Sequence, residues 1–239
     1  MRKIAHALFP VLLAVTAVAG CGKINLKEPS GPKDNGVAAL SADEILAKAR
    51  TAMINAGSFR MKGDVTQEGG KLSLDTKRRG GDIAGTFVMA GSDSTPKGKV
   101  DAIRVGNDTY FKGDATFWKS LGGKNPEGVA ELLENKWVKP AGTDKTFEPM
   151  LKLSDPEELL KSNGSVTKGE VTKIGETDVI ALKDGETTLY VATKGEPLPV
   201  RLEGPPNEGK VDFSEFGATF EEIKAPPSEE VVNMSKIQR

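Results

Sequence analysis

Hydrophobic residues recur along the chain at two spacings, and a helical spacing marks the clearest element, near residue 40. Ser41 stands where it can cap a helix, and Glu44 follows three residues later, which is the capping-box pattern. Leu40 and Ile45 stand where a hydrophobic staple would form. The apolar face consists of Ile45, Ala49, Ala52, Met53 and Ala56. With Gly57 as a stop signal, this pattern predicts a helix that ends near Ala56.

Alternating apolar and polar positions follow this helix and predict antiparallel strands with one polar face. Phe59 and Met61 fall on the apolar side of the first strand, and Gly69-Gly70 turns the chain into the second. The same alternation marks further strands at 71–77, 83–89, 100–105 and 109–112.

Helix signals return in the middle of the chain. Asn125 is an N-cap candidate and Pro126 occupies the first helical position. The segment 154–157 carries a second capping box that leads into Leu159-Leu160. Trp137-Val138 lies between these two helix starts. Short helices are therefore predicted between two sets of strands.

The last third of the chain is again extended. Predicted strands at 165–173, 176–183, 187–193, 197–203 and 210–216 are separated by turns that contain glycine. Leu198, Val200 and Leu202 fall on one side of their strand, opposite Pro199 and Arg201. Five strands at this spacing predict an antiparallel meander.

This order of elements predicts an α+β fold. A long antiparallel sheet with one polar face must cover its other face with something, and short helices are available to do so. A strongly twisted sheet would curl around them. We therefore expect a strongly curved antiparallel β-sheet, a half-barrel, with short helices that cover its concave face.

The N-terminus has the features of an export signal. The basic start Met1-Arg2-Lys3 precedes an apolar stretch from Ala7 to Ala19, which is too short for a transmembrane helix of roughly 20 residues. The ending Val18-Ala19-Gly20-Cys21 resembles the lipobox of bacterial lipoproteins, whose cysteine receives a diacylglycerol. The alternative is an ordinary secretion signal with a chance cysteine. The lipobox predicts an exported protein that Cys21 anchors to the outer side of the cell membrane.

These features divide the chain into four parts. Residues 1–20 are the predicted signal peptide, and residues 21–39, which are rich in Pro and Gly, are a predicted lipidated flexible tether. The folded domain is expected from 40 to 226. Residues 227–239 follow Pro226-Pro227 as a tail that is expected to be loose or briefly helical.

Composition excludes several kinds of chemistry. His6 is the single histidine and lies in the signal segment, and Cys21 is the single cysteine. The mature chain therefore cannot form a Ser-His-Asp triad, a Cys-His pair, a zinc site of these ligands or a disulfide. A formal net charge of -1 argues against nucleic acid as a partner. We expect no enzyme activity, no cofactor and no metal.

Several segments together carry a resemblance to a known family. They are residues 42–59, 105–110, 137–138, 189–191, 198–201 and 211–216, with Ala225-Pro226 at the end. In this order the chain resembles the actinobacterial lipoproteins of the LppX/LprA/LprF/LprG type, which share a LolA-like fold, from Leu40 to Pro226. The resemblance implies that the acyl chains of a lipid or glycolipid are held between sheet and helices.

Inward-facing apolar residues are the candidates for the lining of such a cavity. They are Phe59, Met61, Leu72, Leu74, Phe87, Met89, Tyr110, Leu189, Val191, Val200 and Phe213. Ile83, Ile103, Phe111 and Val179 belong to the same pattern. Each of these residues is also expected in a plain sheet core, so core packing and cavity lining both remain open.

Two other features of the sequence have two interpretations each. The basic run Lys77-Arg78-Arg79 could meet anionic headgroups or form a solvated strand end. Trp118 and Trp137 could flank a ligand entrance or pack between helix and sheet.

Two hypotheses about function remain open. The first is a lipid-binding lipoprotein for carriage or retention at the membrane. The second is an interaction or sensor module on the same fold, whose protein partner is unknown. A hydrolase would need a cleft with convergent acids.

Overall fold

The structure is a computed structural model, and it describes residues 31–67, 70–91, 96–121, 123–141, 151–152, 155–162 and 164–236. The predicted signal peptide, the lipidation site Cys21 and residues 22–30 of the predicted tether lie outside the described residues. Ser154, the first residue of the second predicted capping box, lies outside them too.

Twelve strands and four α-helices lie wholly within the described residues. The strands are β1 (Ser58–Gln67), β2 (Gly70–Arg79), β3 (Asp82–Gly91), β4 (Gly98–Val105), β5 (Asp108–Gly113), β6 (Trp137–Lys139), β7 (Thr167–Ile174), β8 (Thr177–Asp184), β9 (Thr187–Ala192), β10 (Pro199–Glu203), β11 (Gly209–Ser214) and β12 (Val231–Asn233). The helices are α1 (Ala42–Ala56), α2 (Ala115–Leu121), α3 (Pro126–Leu133) and α4 (Pro156–Leu159).

All twelve strands join in one sheet, in the order β12-β6-β5-β4-β3-β2-β1-β11-β10-β9-β8-β7. Consecutive strands pair antiparallel from β1 to β6 and from β7 to β11, and the pairing of β1 with β11 joins the first set of strands to the second. The sheet is curled and open, and the short helices accompany it. The predicted α+β class is confirmed.

Helix α1 forms where the capping pattern places it. The Ser41 Oγ accepts a hydrogen bond from the Glu44 amide at 3.4 Å, and the Glu44 carboxylate accepts one from the Ser41 amide at 2.9 Å. Gly57 ends the helix with a φ of 72°, in the left-handed region that favours glycine. Its apolar face, with Ile45 and Met53 fully buried, packs on the concave side of the sheet.

Helix α2 was not predicted from the sequence. The Asp114 Oδ1 caps it by accepting a hydrogen bond from the Phe117 amide at 2.7 Å, while its Oδ2 accepts one from the Lys99 amide at 3.0 Å. Phe117 and Trp118 are buried. The helix has seven residues, which is too short for a periodic pattern to identify it.

The folded unit begins earlier than predicted, because residues assigned to the tether lie against the sheet. The compact unit starts at Pro32. The Asn35 side chain donates to the Ala192 and Gly195 carbonyl oxygens, and its amide donates to the Thr193 carbonyl oxygen. Val37 is buried. The compact unit of the structure therefore includes residues before the predicted domain start at residue 40.

The C-terminal segment, which was predicted to be loose or briefly helical, forms a short strand and two 3-10 turns within residues 228–236. Strand β12 pairs in parallel with β6, between short 3-10 turns at Ser228–Glu230 and Met234–Lys236. Before it, Phe220 and Ile223 cover Ala84 on the convex face of the sheet. Backbone pairing with β6 holds this end in place. Strand β12 has only three residues, which is too few for alternation of apolar and polar positions to reveal it.

Candidate functional site

A cavity of about 650 Å³ lies between the second set of strands and the helices. We call it the β8–β10 cavity. Its lining consists of Leu46, Glu158, Leu159, Leu160, Lys161, Ser162, Gly164, Ser165, Val166, Leu182, Asp184, Gly185, Thr187, Leu189 and Leu202. A volume of this size is within the range of roughly 300–1,000 Å³ that is usual for small-molecule sites.

The floor of the cavity is a row of leucines from three neighbouring strands. Leu182 of β8 lies opposite Leu189 of β9, which lies opposite Leu202 of β10. Directly opposed residues share one face of a sheet, so these three side chains form one apolar strip. Leu46 of α1 faces this strip from the helical side.

Helix α4 and the turn after it cover one side of the cavity. The Asp155 carboxylate caps α4 by accepting from the Glu157 amide at 3.0 Å, and it lies 3.6 Å from the Arg78 guanidinium. Arg50 of α1 donates to the Leu160 carbonyl oxygen at 2.5 Å. These contacts connect a short helix to the sheet and to α1. Burial lowers the pKa of Arg78 below its ordinary value.

The rim of the cavity is polar and carries both signs of charge. It consists of Glu158, Lys161, Ser162, Ser165, Asp184 and Thr187. The Ser162 hydroxyl donates to the Gly164 carbonyl oxygen at 2.6 Å. The rim therefore offers donors and acceptors above an apolar floor, which is an arrangement suited to an amphiphile.

The structure separates the predicted lining residues into two groups. Leu189 lines the β8–β10 cavity. Seven residues belong to the hydrophobic core or pack against its margin, away from that cavity: Met61, Leu72, Leu74, Phe87, Met89, Val191 and Phe213. Phe59 is in the core as well and borders a second, smaller cavity of about 370 Å³ beside Arg78 and α4.

Tyr110 and Val200 are placed differently from the prediction. Tyr110 lies on the convex face, because its neighbour Phe111 faces the core and adjacent residues of a strand point to opposite sides. The Tyr110 hydroxyl donates to the Asp108 carboxylate at 3.3 Å, and burial raises the pKa of Tyr110. Val200 lies at a register irregularity between Pro199 and Arg201, which breaks the predicted alternation of β10.

Six apolar lining residues were not among the candidates: Leu46, Leu159, Leu160, Val166, Leu182 and Leu202. Leu202 was already assigned to the apolar side of its strand by alternation. Leu182 lies in the run Val179–Leu182, where four consecutive residues are buried, so alternation cannot tell the two faces apart.

The tryptophans and the basic run have structural contacts. Trp118 is buried with its ring 5.0 Å from that of Phe117, whereas Trp137 lies on the convex face. Lys77 forms an ion pair with Glu222, and Arg79 donates to the Ile223 carbonyl oxygen. These contacts connect the basic run to the C-terminal segment, and the Arg79 side chain at the strand end is 45% exposed.

Two searches of the described residues concern metals and membrane spans. Within the described ranges, no three or more His, Cys, Asp or Glu residues come together in a group that could hold a metal ion. None of the helices formed by these residues has the length and apolarity needed to cross a membrane.

Comparison with solved structures identifies the fold. LprF from Mycobacterium bovis superimposes with a TM-score of 0.52 at 13% identity, covering 78% of this chain and 97% of LprF. The lipoprotein LppX from Mycobacterium tuberculosis gives a TM-score of 0.40 at 14% identity, with 72% and 93% covered. An uncharacterized conserved protein from Thermus thermophilus gives 0.41 at 13% identity, with 80% and 98% covered.

The match to LprF is the one that supports the fold, and it confirms the predicted LppX/LprF-type architecture. A comparison with protein-family models finds no matching family, and a comparison with curated proteins finds no matching sequence. At this level of identity the likeness concerns the fold and leaves the function to be argued from the cavity.

Proposed function

We propose that the chain is a cell-envelope lipoprotein that binds a lipid or glycolipid without catalysis, for carriage or retention at the membrane. The observation that carries this proposal is the β8–β10 cavity, with its leucine floor of Leu182, Leu189 and Leu202 and its polar rim. The resemblance to the LppX/LprF type, in which lipid is held between sheet and helices, supports the same ligand class.

Burial of an acyl chain is a sufficient driving force for this binding. Each methylene group that leaves water for an apolar site contributes about 0.8 kcal/mol. The cavity floor provides such a site, and the rim hydroxyls of Ser165 and Thr187 are placed to meet an ester or a sugar hydroxyl. Burial of the acyl chain would provide most of the binding affinity, and the polar rim would select the lipid headgroup.

Lipid attachment at Cys21 is part of the proposal and is tested separately. We expect the wild-type protein to be recovered in the membrane fraction. Its N-terminal cysteine should carry a diacylglycerol. The substitution Cys21→Ala should release it from that fraction, because the acylated cysteine is the anchor in this proposal. Mass spectrometry of the N-terminal peptide is the measurement, and a wild-type peptide without acyl groups would contradict the anchor.

The cavity is tested by filling it. We expect lipid extraction and mass spectrometry of the full chain, purified from its own membrane, to recover a bound lipid at about one per protein. Leu202→Trp places an indole over the leucine floor and should reduce the bound lipid at least tenfold. Val88→Trp is the matched control, because Val88 is exposed on β3 away from the cavity.

Two outcomes would contradict the lipid proposal. One is wild-type protein that carries no lipid after repeated gentle extraction. The other is equal retention by wild type and Leu202→Trp, with both variants shown to be folded by circular dichroism. Either result would favour the interaction or sensor module on the same fold.

A further inference from the structure

The convex face of the sheet carries a transverse row of polar side chains, one from each of eight neighbouring strands. We call it the polar row. It runs Arg201, Asp212, Lys62, Asp75, Thr86, Asp101, Lys112 and Trp137, from β10 to β6. Its charges alternate in sign except at Thr86, and the Lys112 ammonium lies 5.9 Å from the centre of the Trp137 ring.

A groove of about 490 Å³ lies over part of this row. We call it the convex groove, and it is lined by Arg60, Asp75, Lys77, Ala84, Gly85, Thr86, Asp101, Ala102, Ile103, Trp137 and Glu222. The C-terminal segment forms one wall, where Glu222 pairs with Lys77 and the Phe220 ring lies 5.5 Å from the Lys77 ammonium. Trp137 lies at another edge of the convex groove.

The polar groups of the groove are held in fixed positions. Arg60 donates two hydrogen bonds to the Asp75 carboxylate, at 2.7 and 2.6 Å, and a third to Glu215 at 2.7 Å. The Thr86 hydroxyl donates to the Asp101 carboxylate at 2.6 Å. Side chains that are already ordered lose little conformational entropy when a ligand binds.

The same groups remain accessible to a ligand. The side chain of Asp75 is 31% exposed and that of Asp101 is 35% exposed. Asp75 accepts from Arg60 and also lies 3.2 Å from the Lys62 ammonium. Asp101 accepts from Thr86 and lies 3.7 Å from the Lys99 ammonium. Each carboxylate has about four lone-pair positions, so both keep some acceptor capacity. The groove therefore has an ordered set of acceptors next to the cationic donors of Arg60 and Lys77.

We propose that the convex groove binds a neutral glycan chain. Sugar hydroxyls both donate and accept, so they match a surface on which carboxylates alternate with cations. The alternation leaves little net charge to attract a polyanion. The Trp137 indole supplies an apolar surface with a polar edge, which suits the C–H face of a sugar ring.

The spacing of the polar row favours a chain that runs across the strands. Neighbouring strands are about 4.8 Å apart, so the row repeats at a distance close to the length of one pyranose unit. A glycan lying in this direction would meet a hydrogen-bonding group at each ring. The groove is on the face opposite the β8–β10 cavity, so the occupant that we propose is a free polysaccharide chain and not the headgroup of the lipid in that cavity.

The test uses the full chain in lauryldimethylamine oxide, because sugar-based detergents would compete. Chitotetraose and maltotetraose are the neutral probes, and dextran sulfate is the anionic probe. We expect one neutral tetrasaccharide to shift the indole N–H signal of Trp137 in a nuclear magnetic resonance titration. The substitution Trp137→Phe identifies that signal, since the other tryptophan, Trp118, is buried.

Two Asp-to-Asn variants distinguish the convex groove from the rest of the sheet surface. Asp101→Asn lies in the groove and should weaken tetrasaccharide binding at least tenfold. Asp64→Asn is the matched control, because Asp64 is also an ion-paired aspartate of the sheet but lies outside both the polar row and the convex groove. It should leave binding within twofold of wild type. Thermal melts followed by circular dichroism establish that both variants are folded.

Three results would overturn the proposal. The first is the absence of a saturable shift with either tetrasaccharide. The second is stronger binding of dextran sulfate through Asp101 and Trp137, which would make the groove an anion site. The third is binding only to vesicles that contain a digalactosyl lipid, which would assign the groove to a lipid headgroup. Lipid retention by Leu202→Trp is measured independently, so failure of one proposal does not imply failure of the other.

Discussion

The two parts of the concave face differ in how completely they are filled. Over β1 to β5, large side chains such as Phe87 and Phe111 meet Phe117 and Trp118 from α2, and all four are buried. Over β8 to β10 the sheet presents leucines, and the β8–β10 cavity of about 650 Å³ lies above them.

Side-chain bulk and helix coverage explain this difference. The first set of strands is covered by α1 and α2, and aromatic rings fill the space between layers. The second set is covered by the four-residue helix α4, the turn after it and the N-terminal part of α1. The same alternating pattern therefore produces a packed core in one region and a binding space in the other.

The largest expected effect compares a truncation in each region. Phe87→Ala removes a fully buried ring and should lower the free energy of unfolding by about 3–5 kcal/mol, because it creates a new void. Leu202→Ala enlarges a space that already exists and should cost about 1–2 kcal/mol, the transfer cost of a half-buried side chain. Urea denaturation of both variants is the measurement. Equal losses would contradict the distinction between a packed and a hollow region.

A smaller effect is expected from a buried hydroxyl in the packed region. Thr76 is 1% exposed, and its Oγ1 has no hydrogen-bond partner among the residues that the structure describes. Thr76→Val replaces this group with a methyl and should raise the free energy of unfolding by about 1 kcal/mol. Thr76→Ser keeps the hydroxyl and removes the methyl, so it should be destabilising. Loss of stability in the valine variant would show that the hydroxyl is satisfied.

The smallest effect concerns the convex face and depends on pH. The Arg60 guanidinium holds the pKa of Asp75 below its ordinary value, chiefly by hydrogen bonding. Because the pKa is lower in the folded state than in the unfolded state, the ion pair stabilises the fold above the unfolded pKa of about 3.9. This stabilisation is lost as the pH falls through the folded pKa.

The substitution Asp75→Asn tests the direction of this pH dependence of stability. At pH 7 the variant should be less stable than wild type by about 0.5–1 kcal/mol, the upper range for a partly exposed ion pair. The difference should shrink as the pH is lowered below about 4. Urea denaturation across this range is the measurement, and a difference that does not change with pH would contradict an ionic origin.

Local signals in the sequence were sufficient to predict the helices and strands that are specified by residues within or next to them. Ser41 and Glu44 specify the start of α1, and Asn125 specifies the start of α3 by accepting from the Gly128 amide. The five strands of the last third begin and end within two residues of the predicted bounds, because turns that contain glycine separate them. Capping is an interaction between residues a few positions apart, and alternation is a pattern over a few positions. Both can therefore be recognised in a single sequence.

The candidate site was predicted less completely. Of the apolar candidates, Leu189 lines the β8–β10 cavity, whereas Phe87 and Phe213 pack in the core. Alternation tells which face a residue occupies but not what fills the space above it. The wrong face predicted for Tyr110 has a local cause, because Tyr110 and Phe111 are adjacent aromatic residues and one of them must face outward.

The sequence by itself determined the class of fold, the start of α1 and the positions along the chain of most of the strands that the structure describes. The tertiary structure alone decided that β1 joins β11, that Asn35 and Val37 belong to the folded unit, and that the hollow lies over β8 to β10. These features depend on contacts between residues far apart in the chain. Their geometry follows from how whole layers pack, and no local pattern encodes it.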